Sequence, residues 1–211
     1  MKIIVFGGTG PTGQHVVEQA LEAGLTVRVL ARTPSKCTLK HERLEVMAGD
    51  ALNSADVTKS IEGCDAVVTT LGVPYTFRPI TLYSVATAHI LAGMATMGVR
   101  RLVAVTSGGT HPGRDPNTPW FFEYVLKTTI GRTLYDDMRR MEALIQAADV
   151  DWTILRPSRL LDRPSSGQLR VIPDVYTVKG GNELARVDLA SAIVAQLGDE
   201  ALIKRAVVVT D

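Results

Sequence analysis

Four glycines fall within the seven residues GGTGPTG at positions 7–13, directly behind a short apolar run and ahead of a helical pattern. They satisfy GxxGxxG through Gly7, Gly10 and Gly13, and GxGxxG through Gly8, Gly10 and Gly13. Glycine permits positive φ and lets backbone approach a pyrophosphate, while the start of the next helix offers unpaired N–H groups and partial positive charge. Thr9 and Thr12 add hydroxyl donors. A dinucleotide phosphate site is therefore expected at Gly7, Thr9, Gly10, Pro11, Thr12 and Gly13. A tight structural turn is the alternative.

The end of the second strand candidate then discriminates between dinucleotides. An NAD site wants an acidic residue there to hold the ribose 2′-hydroxyl. Instead, the sequence Ala31-Arg32-Thr33-Pro34-Ser35-Lys36 supplies a guanidinium, a hydroxyl and an ammonium. Arg32, Ser35 and Lys36 fit a 2′-phosphate, so NADPH is expected in preference to NADH. The alternative is a solvated basic loop.

Further candidates close other strands. Gly49-Asp50, with the adjoining Ala51, and Leu71-Gly72-Val73 should border the adenine and its ribose. Thr106-Ser107-Gly108 ends the fifth strand candidate, where the Ser107 hydroxyl could meet a carboxamide or a substrate carbonyl, or simply cap a turn. Ser107 is not in GxSxG, which gives no support to a serine-hydrolase elbow. No tyrosine has a lysine four positions later, so the Tyr/Lys acid pair of short-chain dehydrogenases is missing. Tyr135 with Arg139 comes nearest to it.

These residues need a scaffold. Strand candidates at 2–6, 26–31, 44–48, 66–71, 102–106, 153–156 and 206–209 alternate with helical patterns, and most are nearly continuous in apolar residues, as strands covered on both faces should be. The first helix carries Val16, Val17, Ala20 and Leu21 and stops at Gly24. Ala86, Ile90, Met94 and Met97 form one stripe, and Leu134, Met138, Met141, Ile145 and Ala148 another; these methionines and His89 are read as packing. Asp188 is expected to cap a last helix ending at Gly198. The fold class is thus α/β, a Rossmann-like doubly wound parallel sheet in one domain over 1–211. Residues 108–119 fit no element and lead into Trp120-Phe121-Phe122-Glu123-Tyr124, either a clamp over a flat ligand or a loop packed on the body.

Composition narrows the classes further. The 23 Lys and Arg nearly balance 22 Asp and Glu, which argues against a nucleic-acid partner. Cys37 and Cys64 form no CxxC and the four histidines are scattered, so no metal site is expected. No signal peptide or membrane span can be drawn, and the protein is expected in the cytoplasm.

The GGTGPTG turn, Gly49-Asp50, DDMRRM at 136–141 and DWTILRP at 151–157 together resemble the atypical short-chain NAD(P)H-binding proteins, including NmrA-like members. Within them the chain is most similar to the biliverdin-IXβ (flavin) reductase family. The resemblance runs from Met1 to about Asp211. It implies that Gly10, Thr12 and Gly13 hold the pyrophosphate, Arg32 the 2′-phosphate, Asp50 the adenine side, and Leu71 and Gly72 the ribose. It puts Ser107 near the nicotinamide, with Arg156, Pro157 and Ser158 along its far side. Hydride would pass to a flat conjugated acceptor such as a flavin, FMN among them, a tetrapyrrole or a quinone, with little need for a dedicated acid. Met138 and Arg159 stand where that family has histidines, and Arg159 could favour an anionic acceptor. A cofactor sensor without turnover, like the regulatory members of the superfamily, is the second functional class.

Overall fold

Strand β1, Lys2–Phe6, has no solvated face: Ile4 and Phe6 enter one hydrophobic cluster, and Ile3 and Val5 the other. That two-sided burial explains the unbroken apolar run from Ile3 to Phe6. The computed structural model describes residues 1–115, 117, 118 and 120–211; Pro116 and Pro119, both within the stretch expected to form a loop over 108–119, lie outside the described residues.

From β1 the chain continues through α1 (Pro11–Glu22), β2 (Thr26–Ala31), β3 (Leu44–Ala48), α2 (Ser54–Ile61), β4 (Ala66–Thr69), α3 (Leu82–Met97) and β5 (Arg101–Val105). It then forms α4 (Arg132–Ala147), β6 (Asp151–Pro157), β7 (Arg159–Leu161), β8 (Arg170–Pro173), β9 (Glu183–Ala185), α5 (Arg186–Gln196) and β10 (Arg205–Thr210). Eight strands join in the order β3-β2-β1-β4-β5-β6-β10-β8, all parallel except for β8, which runs antiparallel to β10; β7 and β9 pair separately. Helices α2, α3 and α4 pack on one face, and α1 and α5 on the other. Gly24 (φ 85°) and Gly98 (φ 69°) supply the left-handed residues that follow α1 and α3.

The architecture is the expected doubly wound α/β sheet. Its strand order reverses between β1 and β4, which creates a crevice at the carboxyl ends of the parallel strands. Among the described residues, no helix is long and apolar enough to cross a membrane.

Local differences have identifiable causes. Asp188 does not cap α5; Ala185 occupies that position, and the Asp188 carboxylate, inside the first turn, accepts from the Ser166 N–H at 3.1 Å. Gly198 is not among the positive-φ glycines, so no left-handed turn closes that helix. Strands β7, β8 and β9 are only three or four residues long and carry too little periodicity to be read as strands. The segment after β5 is not all loop: Gly108–Thr110 forms a 3-10 turn, and Phe122–Leu126 a π-helical one.

Candidate active site

Gly7 (φ 86°) brings the end of β1 against the chain leaving β4: a Cβ there would lie 2.7 Å from the Thr70 carbonyl carbon and 2.8 Å from the Leu71 nitrogen. This close approach assembles Gly7, Leu71 and Gly72 at the point where the strand order reverses. Gly13 packs α1 on the turn, since a Cβ there would sit 2.1 Å from the Gly7 carbonyl oxygen. Gly10, whose N–H donates to that oxygen at 2.9 Å, precedes α1 in extended conformation, and no side chain caps the helix. The Thr12 and Gly13 N–H groups in the first turn of α1 are thus left for an anion, as a pyrophosphate requires. Arg186, at the start of α5, donates to the Thr12 hydroxyl at 3.2 Å and pairs with Asp162 at 2.7 Å. It adds a cation beside the turn.

Arg32, Ser35 and Lys36 follow the neighbouring strand β2 and are all exposed. Among the described residues, neither cation has a carboxylate partner. One strand further out, the Gly49 N–H donates to the Ala31 carbonyl at 3.1 Å, which joins the Asp50 corner to the end of β2. Asp50 accepts from the Leu52 N–H at 3.0 Å, and its own N–H donates to Asp56. Ala51 is buried beneath, its carbonyl 3.3 Å from His89 Nδ1. These donors and cations, with no acid directly after β2, suit a dinucleotide bearing a 2′-phosphate.

Across the reversal, Ser107 follows β5 and accepts from the Gly109 N–H at 3.1 Å, so it does cap the 3-10 turn. Tyr135 of α4 lies over the same turn, where a Cβ on Gly109 would meet its ring at 2.3 Å, and one on Gly131 would meet it at 3.0 Å. Tyr75, on the loop after β4, reaches Tyr135 with its hydroxyl. Burial raises the Tyr135 phenol above its ordinary range, and the neighbouring Tyr75 adds to this; a hydrogen bond with Ser107 works against it. Arg139 does not take the place of the missing lysine. It pairs with Asp136 and donates to the Thr110 carbonyl at 3.1 Å.

Two expected site residues are committed elsewhere. Thr106 is buried, and its hydroxyl donates to Glu142 at 2.7 Å. Arg156, 4% exposed, makes a two-pronged pair with Glu142 at 3.1 and 2.6 Å and stacks on Tyr176, so its guanidinium is part of the support beneath the Ser107 turn and not of a ligand-lining surface. Pro157 ends β6, Ser158 is tied to Thr210 at 3.0 Å, and Arg159 pairs with Glu183 at 3.6 Å.

The aromatic stretch divides. Phe122 packs edge-on against Tyr135, whereas Trp120, Phe121 and Tyr124 are 68%, 56% and 50% exposed. Tyr75 and Phe77, on the other segment reaching Tyr135, are exposed too. Sequence reasoning missed Tyr75 and Arg186, because each gains its meaning from a distant partner, Tyr135 and Thr12.

A doubly wound sheet with a glycine turn at its reversal point and exposed cations after β2 defines a dinucleotide-binding α/β protein. The chain belongs to the NAD(P)H-binding family, which it matches over residues 7–200. It is 25% identical over 214 residues to an uncharacterized chloroplastic protein of Arabidopsis thaliana, covering 96% of this chain and 72% of that one. A short-chain dehydrogenase/reductase of Veillonella parvula solved in complex with NADP shares the fold at TM-score 0.80 and 17% identity, over 100% of this chain and 94% of that one. An anaerobilin reductase of Escherichia coli O157:H7 shares it at TM-score 0.79 and 20% identity, over 100% and 97%.

Proposed function

We propose that the protein is an NADPH-dependent reductase that passes hydride to a flat conjugated acceptor: a flavin such as FMN, a biliverdin-like tetrapyrrole or a quinone. The observation that carries this reading is the set of exposed rings on the two segments that reach Tyr135, Tyr75 and Phe77 on one and Trp120, Phe121 and Tyr124 on the other, at the rim where Ser107 follows β5. Rings so placed suit a planar molecule. The fold shared with an anaerobilin reductase, and with a relative solved with NADP, supports the same reading.

The cofactor supplies the hydride from its nicotinamide when bound. Thr12 and Gly13 would give the pyrophosphate their backbone N–H groups, while Gly7, Thr9, Gly10 and Pro11 shape the turn that receives it, with Arg186 beside them. Arg32, Ser35 and Lys36 hold the 2′-phosphate, Asp50 and Ala51 border the adenine, and Leu71 and Gly72 the ribose. Ser107, Pro157 and Ser158 border the nicotinamide. Holding donor and acceptor face to face supplies much of the rate, about 7–11 kcal/mol in well-oriented systems. An acceptor that needs a proton as well takes it from the Tyr135 hydroxyl as Tyr75, which is open to water, passes its own to Tyr135 in the same step, so that no Tyr135 phenolate forms. The two free thiols, Cys37 and Cys64, agree with a reducing cytoplasmic setting.

The test is an absorbance assay of reduced-nicotinamide loss, comparing NADPH with NADH while FMN, biliverdin and a quinone are offered in turn. Rapid loss of NADPH with one of them is expected. Saturable NADPH binding with no loss for any acceptor would overturn the reading.

A further inference from the structure

We infer that the cavity between α4 and the Phe122–Leu126 turn holds an anionic group of the acceptor, a carboxylate or a phosphate. This rests on the reductase reading and deepens it by specifying the charge its acceptor carries. The cavity has a volume of about 480 Å³ and is lined by four cationic side chains, Arg114, Lys127, Arg132 and Arg139, against two carboxylates, Glu123 and Asp136.

Both carboxylates are already engaged. Lys127 Nζ lies 3.1 Å from Glu123, both side chains buried, and also donates to the Gly113 carbonyl at 3.0 Å. Arg139 pairs with Asp136, and Arg132 approaches the other oxygen of that carboxylate at 3.8 Å. Arg114 has no carboxylate partner among the described residues; its guanidinium stacks 4.6 Å from the centre of the Tyr124 ring. Two positive charges are therefore in excess, and guanidinium groups suit carboxylate and phosphate oxygens.

The position favours the acceptor over the cofactor. Arg139 Nε donates to the Thr110 carbonyl, and the Thr110 N–H and hydroxyl donate to the Ser107 carbonyl at 3.1 and 2.8 Å. The cavity wall is thus bonded to the turn that bears Ser107, whereas the cations suited to the cofactor's phosphates follow β2 and flank the glycine turn. Tyr124, on the same wall, belongs to the exposed aromatic segment. An acceptor lying on those rings carries its anionic substituent into the cavity.

The test compares ligands with and without the anionic group, by fluorescence titration of protein saturated with NADP⁺: FMN against riboflavin, and biliverdin against its dimethyl ester. At least one charged member should bind about tenfold more tightly than its neutral counterpart, the effect of one charge-assisted contact. An Arg114→Ala/Arg132→Ala double variant should bring that ratio to about one, with NADP⁺ binding unchanged as the check on folding. Added salt should weaken the charged ligand alone in the unaltered protein. The responding pair tells phosphate from carboxylate. No binding, no preference in the unaltered protein, or a preference that survives in the double variant would overturn the inference. NADPH loss in the same samples tests the reductase reading separately: charge-dependent binding without turnover keeps the cavity and removes the reductase, and turnover without charge preference does the reverse.

Discussion

The hydroxyls of Tyr75 and Tyr135 lie 2.7 Å apart although 60 positions separate them in sequence. One ring is partly open to water and the other is buried, so the pair links a surface phenol to one held over the Ser107 turn. Because burial raises the Tyr135 phenol, it stays protonated across the working range and donates a hydrogen bond; it does not act as a phenolate. Turnover should therefore show no alkaline fall due to Tyr135 up to about pH 10. Tyr75→Phe should slow acceptors that need a proton by about tenfold or more while leaving NADPH affinity unchanged. A pH profile of NADPH loss for both proteins checks this, and equal rates for the variant with every acceptor would sink the proton path.

The same shift has a stability consequence. The unfolded phenol ionises near pH 10 and the folded one above it, so the folded state binds more protons there. The stabilising contribution is complete below about pH 10 and is lost as pH rises beyond it. Urea unfolding at pH 8 and pH 10.5 should show the loss, and Tyr135→Phe should reduce it. An identical fall in the variant would assign the effect to other groups.

Arg32→Glu places a carboxylate where a 2′-phosphate is expected. NADPH affinity should fall by about tenfold or more while NADH changes much less, since only the former carries that phosphate. Titration of both by nucleotide fluorescence decides it. Equal losses would remove Arg32 from that role.

Gly13→Ala must push a methyl group into the Gly7 carbonyl, whereas Gly10→Ala meets the same oxygen only at 3.2 Å. Gly13→Ala should cost about 3 kcal/mol and abolish dinucleotide binding; Gly10→Ala should largely keep stability. Denaturant midpoints of the two variants check the order. A reversed order would contradict the packing described.

Arg156→Ala leaves Glu142 buried without its cation. The expected loss is about 3–5 kcal/mol, with Arg156→Lys recovering only part because a single ammonium cannot make the two-pronged contact. Chemical unfolding measures it, and a loss under about 1 kcal/mol would show that water replaces the guanidinium.

The sheet was legible because apolar runs such as Lys2–Phe6 are demanded by burial on both faces, and the glycine turn because its spacing answers to backbone geometry. The meaning of Arg156 was not legible: its carboxylate partner lies on a helix 14 positions away, and sequence cannot distinguish a buried pair from an arginine lining a ligand. Arg186 was out of reach for a related reason, since 174 positions separate it from Thr12. Tyr135 was visible only as a departure from a lysine-containing pattern, and Tyr75 needed the fold to bring it near.

The antiparallel strand β8 ends the sheet with Arg170 and Pro173, the latter opposite Val207. Proline lacks the N–H that an added strand would need, and a charged side chain resists stacking. At the opposite margin β3 exposes Glu45, held by Arg28 at 2.9 Å and Lys2 at 3.1 Å. Both margins thus resist templated strand addition, and neither offers this Val- and Ile-rich sheet a ready template for edge-to-edge growth.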